Sequence, residues 1–149
     1  MELNFRKVFH SDCEIVFTAL FELQDKPLFT LKMFESYWGA LISGEFGKYD
    51  IWLAFHNEKA CAYILANHYP MPRYMGQGIE LEEVVTLPAY QRKGIGKLFI
   101  QFLFEYYSSK SSIRKITIKT DDHKGAGKLY NEFFGLTDMG VYHKFLNKL

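Results

Sequence analysis

The spacing of apolar residues divides the chain into a short series of strands and helices. Leu3, Phe5, Val8 and Phe9 alternate with polar neighbours and predict a strand over residues 3–9. Ser11 and Glu14 have the spacing of a reciprocal cap and Asp12 favours a first turn, so a helix is predicted from Ser11. Val16, Leu20 and Leu23 give that helix one apolar face, and Pro27 ends it. A second helix begins near Thr30, with Phe34, Trp38, Leu41 and Ile42 at helical spacing until Gly44 and Gly47 interrupt them. Residues 49–56 and 59–68 are apolar strand-like runs joined by Asn57-Glu58, which predicts a tight antiparallel hairpin. Residues 69–78 read as a loop by composition; their two Tyr, two Met and one Arg make them a candidate substrate-facing lid. Residues 79–87 are a β-branched strand, and Ile95, Leu98, Phe99, Phe102 and Tyr106 then form a helical stripe. The serines between 108 and 112 mark the exit turn. Residues 113–120 predict a strand parallel to 79–87, completing a βαβ unit. A helix over 123–134, with Ala126, Leu129, Tyr130 and Phe133 on one side, is stopped by Gly135, and residues 141–146 predict a closing strand.

The junction between strand 79–87 and the helix after it carries the most specific pattern. A proline-punctuated turn leads into Gln91-Arg92-Lys93-Gly94-Ile95-Gly96-Lys97, and a helix starts there. Free backbone N–H groups and the positive end of a helix dipole meet at that point, so an anion such as a phosphate or pyrophosphate is expected. A dinucleotide fingerprint needs a third glycine where Phe99 stands. A P-loop needs Ser or Thr after its lysine, but Lys97 is followed by Leu98 and Lys128 by Leu129.

The loop fits (Gln/Arg)-x-x-Gly-x-(Gly/Ala), with Pro88 three residues before Gln91, and in this it resembles the GNAT superfamily of acetyl-CoA-dependent N-acetyltransferases. The order of predicted elements is also that family's order, so the resemblance spans nearly the whole chain. It implies an α/β fold in one domain over residues 1–149, with a mixed, mostly antiparallel sheet, helices on both faces and the βαβ unit at the cofactor site. It implies acetyl-CoA as co-substrate, with Val84, Val85, Thr86, Gln91, Arg92, Lys93, Gly94, Ile95, Gly96 and Lys97 along the cofactor. His123 to Tyr130 resembles the family's Asn-x-x-Ala-x-x-x-Tyr segment, adding His123 and Ala126 to that set. His123 stands where the family carries Asn, and the spacing from Tyr130 to Gly135 is one residue longer than is common there. The first helical pair, by the same resemblance, walls the acceptor pocket.

Amine acetylation requires that an ammonium, with an ordinary pKa near 10.4, lose a proton before it attacks. A carboxylate at the end of a buried strand can take it, and Glu80, Glu82 and Glu83 are the candidates. Strand alternation puts Glu80 and Glu82 on one face and Glu83 on the other, unless a bulge intervenes. Leu81-Glu82-Glu83 is similar to the Leu-Glu-Asp of the diamine or polyamine acetyltransferases, whose first acid is the proposed base; Glu82 is therefore the first choice and Glu83 the second. Backbone N–H groups near Val84 to Thr86 are placed to stabilise an oxyanion. The resemblance makes Tyr130 the proton donor to the departing thiolate.

Composition narrows the partners. A chain of 149 residues, 48% hydrophobic and 17% aromatic, has ample material for one core. A net charge of +1 argues against a nucleic-acid partner and toward a small-molecule amine. No signal-peptide pattern or bilayer-length apolar run is present, so a cytoplasmic protein without membrane partners is expected. Cys13 and Cys61 make neither a disulfide framework nor a metal site, and no metal is expected. The oligomeric state stays open, a homodimer included. Two other readings remain. One is a non-catalytic acyl-CoA-binding or sensory module, against which intact Glu82, Glu83 and Tyr130 count. The other is a protein-lysine or N-terminal acetyltransferase; for its histone-type form, residues 86–94 also resemble the MYST group, whose zinc finger has no counterpart here.

Overall fold

A computed structural model of the chain describes residues 2–23, 28–119 and 125–134, and the chain divides into two compact units, residues 1–119 and 120–149. The first unit runs β1 (Asn4–Lys7), α1 (Cys13–Leu23), α2 (Leu31–Ser43), β2 (Tyr49–His56), β3 (Lys59–Met71), β4 (Gly76–Thr86), α3 (Ile95–Ser108) and β5 (Ile113–Ile118). The described part of the second contains α4 (Ala126–Tyr130). Among the described residues one sheet has the order β1-β2-β3-β4-β5, antiparallel as far as β4 and parallel between β4 and β5. The predicted closing strand and Gly135 lie outside the described residues.

Alternation along the strands builds a core on each face of the sheet. Ile51, Leu53, Tyr63 and Leu65 face Val16 and Ala19 of α1 and Phe34 and Trp38 of α2. Trp52 and Ile64, with Ile79 and Leu81, turn to the other face, where α3 packs with Phe99, Ile100 and Leu103 buried. Phe5 stacks on Phe99 and Phe102, and Trp52 meets Phe102 edge-on. Each large side chain removed from water in this way contributes about 1.5–3 kcal/mol, which is why a helix of ordinary propensity holds its place here.

Several predicted elements are shifted. The stripe on α3 lies one position round from the predicted one: Ile95, Phe99, Ile100, Leu103 and Tyr107 are buried, and Leu98 is 44% exposed. α1 starts at Cys13 after a single 3-10 turn over His10–Asp12, so Ser11 is inside that turn instead of capping the helix. The capping acceptor is Asp12, whose carboxylate takes the Phe9 N–H at 2.5 Å and a two-pronged bond from Arg6 at 2.7 and 3.0 Å. α2 matches its prediction, with the Thr30 hydroxyl accepting from the Met33 N–H and Gly44 ending it at φ 84°. The Asn57-Glu58 turn is as predicted, both residues having positive φ.

The predicted loop over 69–78 is mostly sheet. β3 continues to Met71 and β4 begins at Gly76, leaving a 3-10 turn at Pro72–Tyr74 and a left-handed Met75. The pairs Tyr69↔Gly78 and Met71↔Gly76 take the place of the expected loop, so the candidate lid is a paired strand end. Glycine serves the ladder here: a Cβ on Gly78 would lie 2.1 Å from Cζ of the Tyr69 ring. The second unit's helix is shorter than predicted, with turn geometry from Asn131 to Phe134, where the Phe133 N–H bonds the Tyr130 carbonyl at 3.0 Å. Gly125 and Gly127 weaken helix at its start.

Candidate active site

The three acids of β4 are gathered by an irregularity in its ladder. Leu65 pairs with Glu83 and Ala66 with Leu81, so Glu82 is an extra residue with no partner of its own across β3. Such a bulge overrides alternation, and Glu83 stays on the face of Glu80 and Glu82 instead of pointing to the far side. Two hydrogen bonds mark that face: the buried Tyr63 hydroxyl donates to Glu83 Oε2, and the Asn67 amide donates to Glu82 Oε1 at 3.1 Å. Glu80 is ion-paired with Lys119. This is the face that carries α1 and α2, and Tyr37 of α2 lies close enough to be influenced by both Glu83 and Glu82.

The three carboxylates thus have different surroundings. Burial pushes the Glu82 carboxyl above the usual carboxylate range, the neighbouring charges of Glu80 and Glu83 push the same way, and the Asn67 amide opposes them. Burial, and then the charge of Glu83, drives the Tyr63 phenol far above its ordinary value, so it remains a donor at any working pH. Burial and Glu83 also raise Tyr37.

Beside the acids, β4 presents an open edge. β5 pairs with it only from Gln77 to Leu81, so among the described residues Glu82 to Thr86 have no partner on that side. On the other side Val84, Val85 and Thr86 are held by Ile64, Tyr63 and Ala62 of β3. The turn that follows is built by local bonds. The Leu87 N–H reaches the Cys61 carbonyl at 2.9 Å and the Tyr90 N–H returns to Leu87 at 2.8 Å. The Gln91 amide donates to the Thr86 carbonyl at 3.1 Å, and Lys93 Nζ to the Ala89 carbonyl at 2.8 Å. Both side chains, expected along the cofactor, are used here to shape the loop. Arg92 and Gly94 have φ of 59° and 78°, and Gly94 is the N-cap of α3. Leu98 is the first residue whose N–H closes a helical bond, to Gly94 at 3.1 Å, so Ile95 and Gly96 keep first-turn amides without an intrahelical acceptor. Ile95 is buried at 1%, so its contribution there is its N–H and not its side chain. Exposed backbone, left-handed Gly94 and a helix start together fit a pyrophosphate.

Ala126 and Tyr130 are the ends of α4 in the second unit, and His123 lies outside the described residues. Tyr63 and Asn67 escape the sequence reading because their role depends on a cross-strand register, and nothing in a run of apolar letters announces a bulge. A polar network was also missed, at the opposite end of α3. There Asp50 accepts from Lys7 Nζ at 2.9 Å, His68 Nε2 at 2.7 Å and the Tyr107 hydroxyl at 2.9 Å, beside a cavity of about 200 Å³. Burial alone would raise Asp50, but these three donors hold it below the usual range. Among the described residues no group of three His, Cys, Asp or Glu is placed to hold a metal ion, and no helix is long and apolar enough to cross a membrane.

The family model described as Acetyltransferase (GNAT) family matches residues 15–136. No curated protein matches the chain by sequence. Among solved structures, a ribosomal-protein-alanine N-acetyltransferase from Brucella melitensis biovar Abortus 2308 superposes with a TM-score of 0.78 at 15% identity, covering 98% of this chain and 100% of its own. Glucosamine-6-phosphate N-acetyltransferase from Arabidopsis thaliana gives 0.72 at 19% identity, covering 99% and 100%. An aminoglycoside acetyltransferase from an uncultured soil metagenomic sample, solved with sisomicin, gives 0.70 at 13%, covering 97% and 95%. At these identities the likeness is one of fold, and the acceptors of the three differ.

Proposed function

The chain belongs to the acetyltransferase (GNAT) family, and from that premise we propose that it moves the acetyl group of acetyl-CoA directly to a primary amine of a small cationic molecule, a polyamine or a lysine-like amine. The observation that carries this reading is the bulge that holds Glu80, Glu82 and Glu83 on one face of β4, next to the strand's open edge. The whole chain is taken as one catalytic domain, since the family match runs across both compact units.

Bound acetyl-CoA supplies the acetyl thioester. The backbone of Arg92 to Gly96 would hold the pyrophosphate, helped by the charges of Arg92 and Lys97, and the family segment adds His123 and Ala126 to the cofactor contacts. Along β4, outward N–H groups between Val84 and Thr86 would face the carbonyl oxygen on which charge builds. Glu82, raised by burial, is the base that takes the ammonium proton, directly or through water, with Glu83 the second choice. Tyr130 is the donor that protonates sulfur. Cys13 and Cys61 are free thiols, which suits a reducing cytoplasm.

The test is a panel of amines with purified protein and acetyl-CoA, read by release of free thiol. Polyamines and lysine-containing peptides are expected to give the highest kcat/KM, above amino sugars and amino acids. If no amine releases thiol while acetyl-CoA still binds, the protein is the non-catalytic acyl-CoA module instead.

A further inference from the structure

The three acids of β4 differ less in position than in what holds them. Glu80 is tied to Lys119, an ion pair that offsets its charge. Glu83 receives the hydroxyl of Tyr63, a side chain only 2% exposed whose ring is fixed between the sheet and the first two helices. Glu82 receives one amide bond, from Asn67, and sits on the extra residue of the bulge. A buried phenol that keeps its proton is a rigid donor to a charged acceptor, stronger than an amide on a half-exposed strand. Glu83 is therefore fixed in direction by a buried donor, whereas Glu82 is held only by an amide at the strand surface.

We propose that the two carboxylates divide the work by these partners: Tyr63 is a positioning residue that holds Glu83 as the anchor for the acceptor's distal positive charge, leaving Glu82 to take the proton from the reacting amine. The inference rests on the acetyltransferase reading above and assigns a role within the same site. It makes the acceptor a diamine or longer, since one ammonium is held while another nitrogen reacts. The other groups that act on this pair are Tyr37 of α2, Asn67 of β3, Glu80 and Lys119. Tyr37 stacks on Phe46 at 5.4 Å between ring centres, giving the acceptor's carbon chain an apolar wall.

Tyr63→Phe tests this, because it keeps the ring and removes only the hydroxyl. In the presence of coenzyme A, calorimetric affinity for a linear diamine is expected to fall by about tenfold, and affinity for the monoamine of the same length by less than about twofold. In turnover the loss falls on KM for the diamine and leaves the acid limb of the kcat pH profile in place. Asn67→Ala, by contrast, is expected to move that limb upward, since it removes the bond that opposes the rise of Glu82. Should Tyr63→Phe fail to fold, Glu83→Gln reads the same preference: it lowers diamine kcat/KM several-fold more than monoamine kcat/KM, whereas Glu82→Gln lowers kcat for both alike. Equal losses for diamine and monoamine in Tyr63→Phe, or an acid limb that follows Tyr63 and not Asn67, overturn the division of roles. A wild-type protein that acetylates only monoamines overturns it too. Failure of the underlying reading looks different: no amine in the panel releases thiol.

Discussion

A carboxylate is useful as a base when its surroundings raise its hold on a proton without sealing it from substrate, and Glu82 has both properties. Burial and two acidic neighbours raise it, yet its residue is solvent-exposed. The sequence nominates it as an acid near the proposed reacting centre. It does not place Glu83 beside it, because a bulge is decided by which residue of β3 faces which residue of β4. Tyr130 rests on different ground: the family segment nominates it and its place on α4 is known, but its aim at the thioester is a proposal. On that proposal Tyr130→Phe lowers kcat by about tenfold or more and leaves acetyl-CoA affinity nearly unchanged, because the hydroxyl acts only as sulfur leaves. Single-turnover rates with titrated acetyl-CoA check this. Unaltered turnover with chemistry rate-limiting would leave Tyr130 as a packing residue.

Elements were legible where each letter answers a local demand. Pro88 and the glycine at φ 78° mark a turn and a helix start whatever the rest of the chain does, so the loop proposed for phosphate could be located from sequence. Acetyl-CoA is expected to raise the melting temperature by mass action, and Gly96→Glu to remove that shift by placing bulk and negative charge where phosphate would approach. An undiminished shift in folded Gly96→Glu protein would refute the loop's role. The start of α1 was less legible, since Ser11, Asp12 and Glu14 all satisfy cap chemistry, and the acid the fold uses, Asp12, bonds the Phe9 N–H at the head of the 3-10 turn before the helix. The Arg6 bond, opposed by burial and aided by the Phe9 N–H, holds the Asp12 carboxyl below its usual range. A lowered acid stabilises the fold above its unfolded pKa of about 3.9, and the contribution is lost as pH falls through the lower folded value. Asp12→Asn should therefore cost about 2 kcal/mol at neutral pH, less than a fully buried pair because Arg6 is 31% exposed. The gap between the denaturation midpoints of the two proteins should begin to narrow below about pH 4 and close only below the lowered folded value; a gap that does not narrow there would assign the cost to packing instead.

For the whole molecule, the order of elements and the parallel β4–β5 pair could be read because hydrophobic period and connection length constrain them together. The segment over 69–78 could not, since Pro70, Gly76 and Gly78 carry the composition of a loop while the β3–β4 ladder runs through them. That extension makes the candidate lid part of the sheet, and in the proposed site the acceptor is selected by the walls. Those walls are negative: Lys119 offsets Glu80, and the charges of Glu82 and Glu83 remain on the face that holds Tyr37. At an effective dielectric near 20, a charge pair about 4 Å apart is worth about 4 kcal/mol before desolvation. Added salt screens it over a Debye length of about 10 Å at 0.1 M. A cationic acceptor should therefore show a KM that falls as ionic strength is lowered, while the KM of a neutral amine stays nearly constant. Glu83→Gln should flatten that dependence, because the bulge keeps this side chain on the face proposed for the acceptor. A salt dependence identical in Glu83→Gln and wild type would remove Glu83 from the pocket. The cationic-acceptor proposal itself fails if anionic or uncharged amines, such as amino-acid α-amines or arylamines, give the highest kcat/KM.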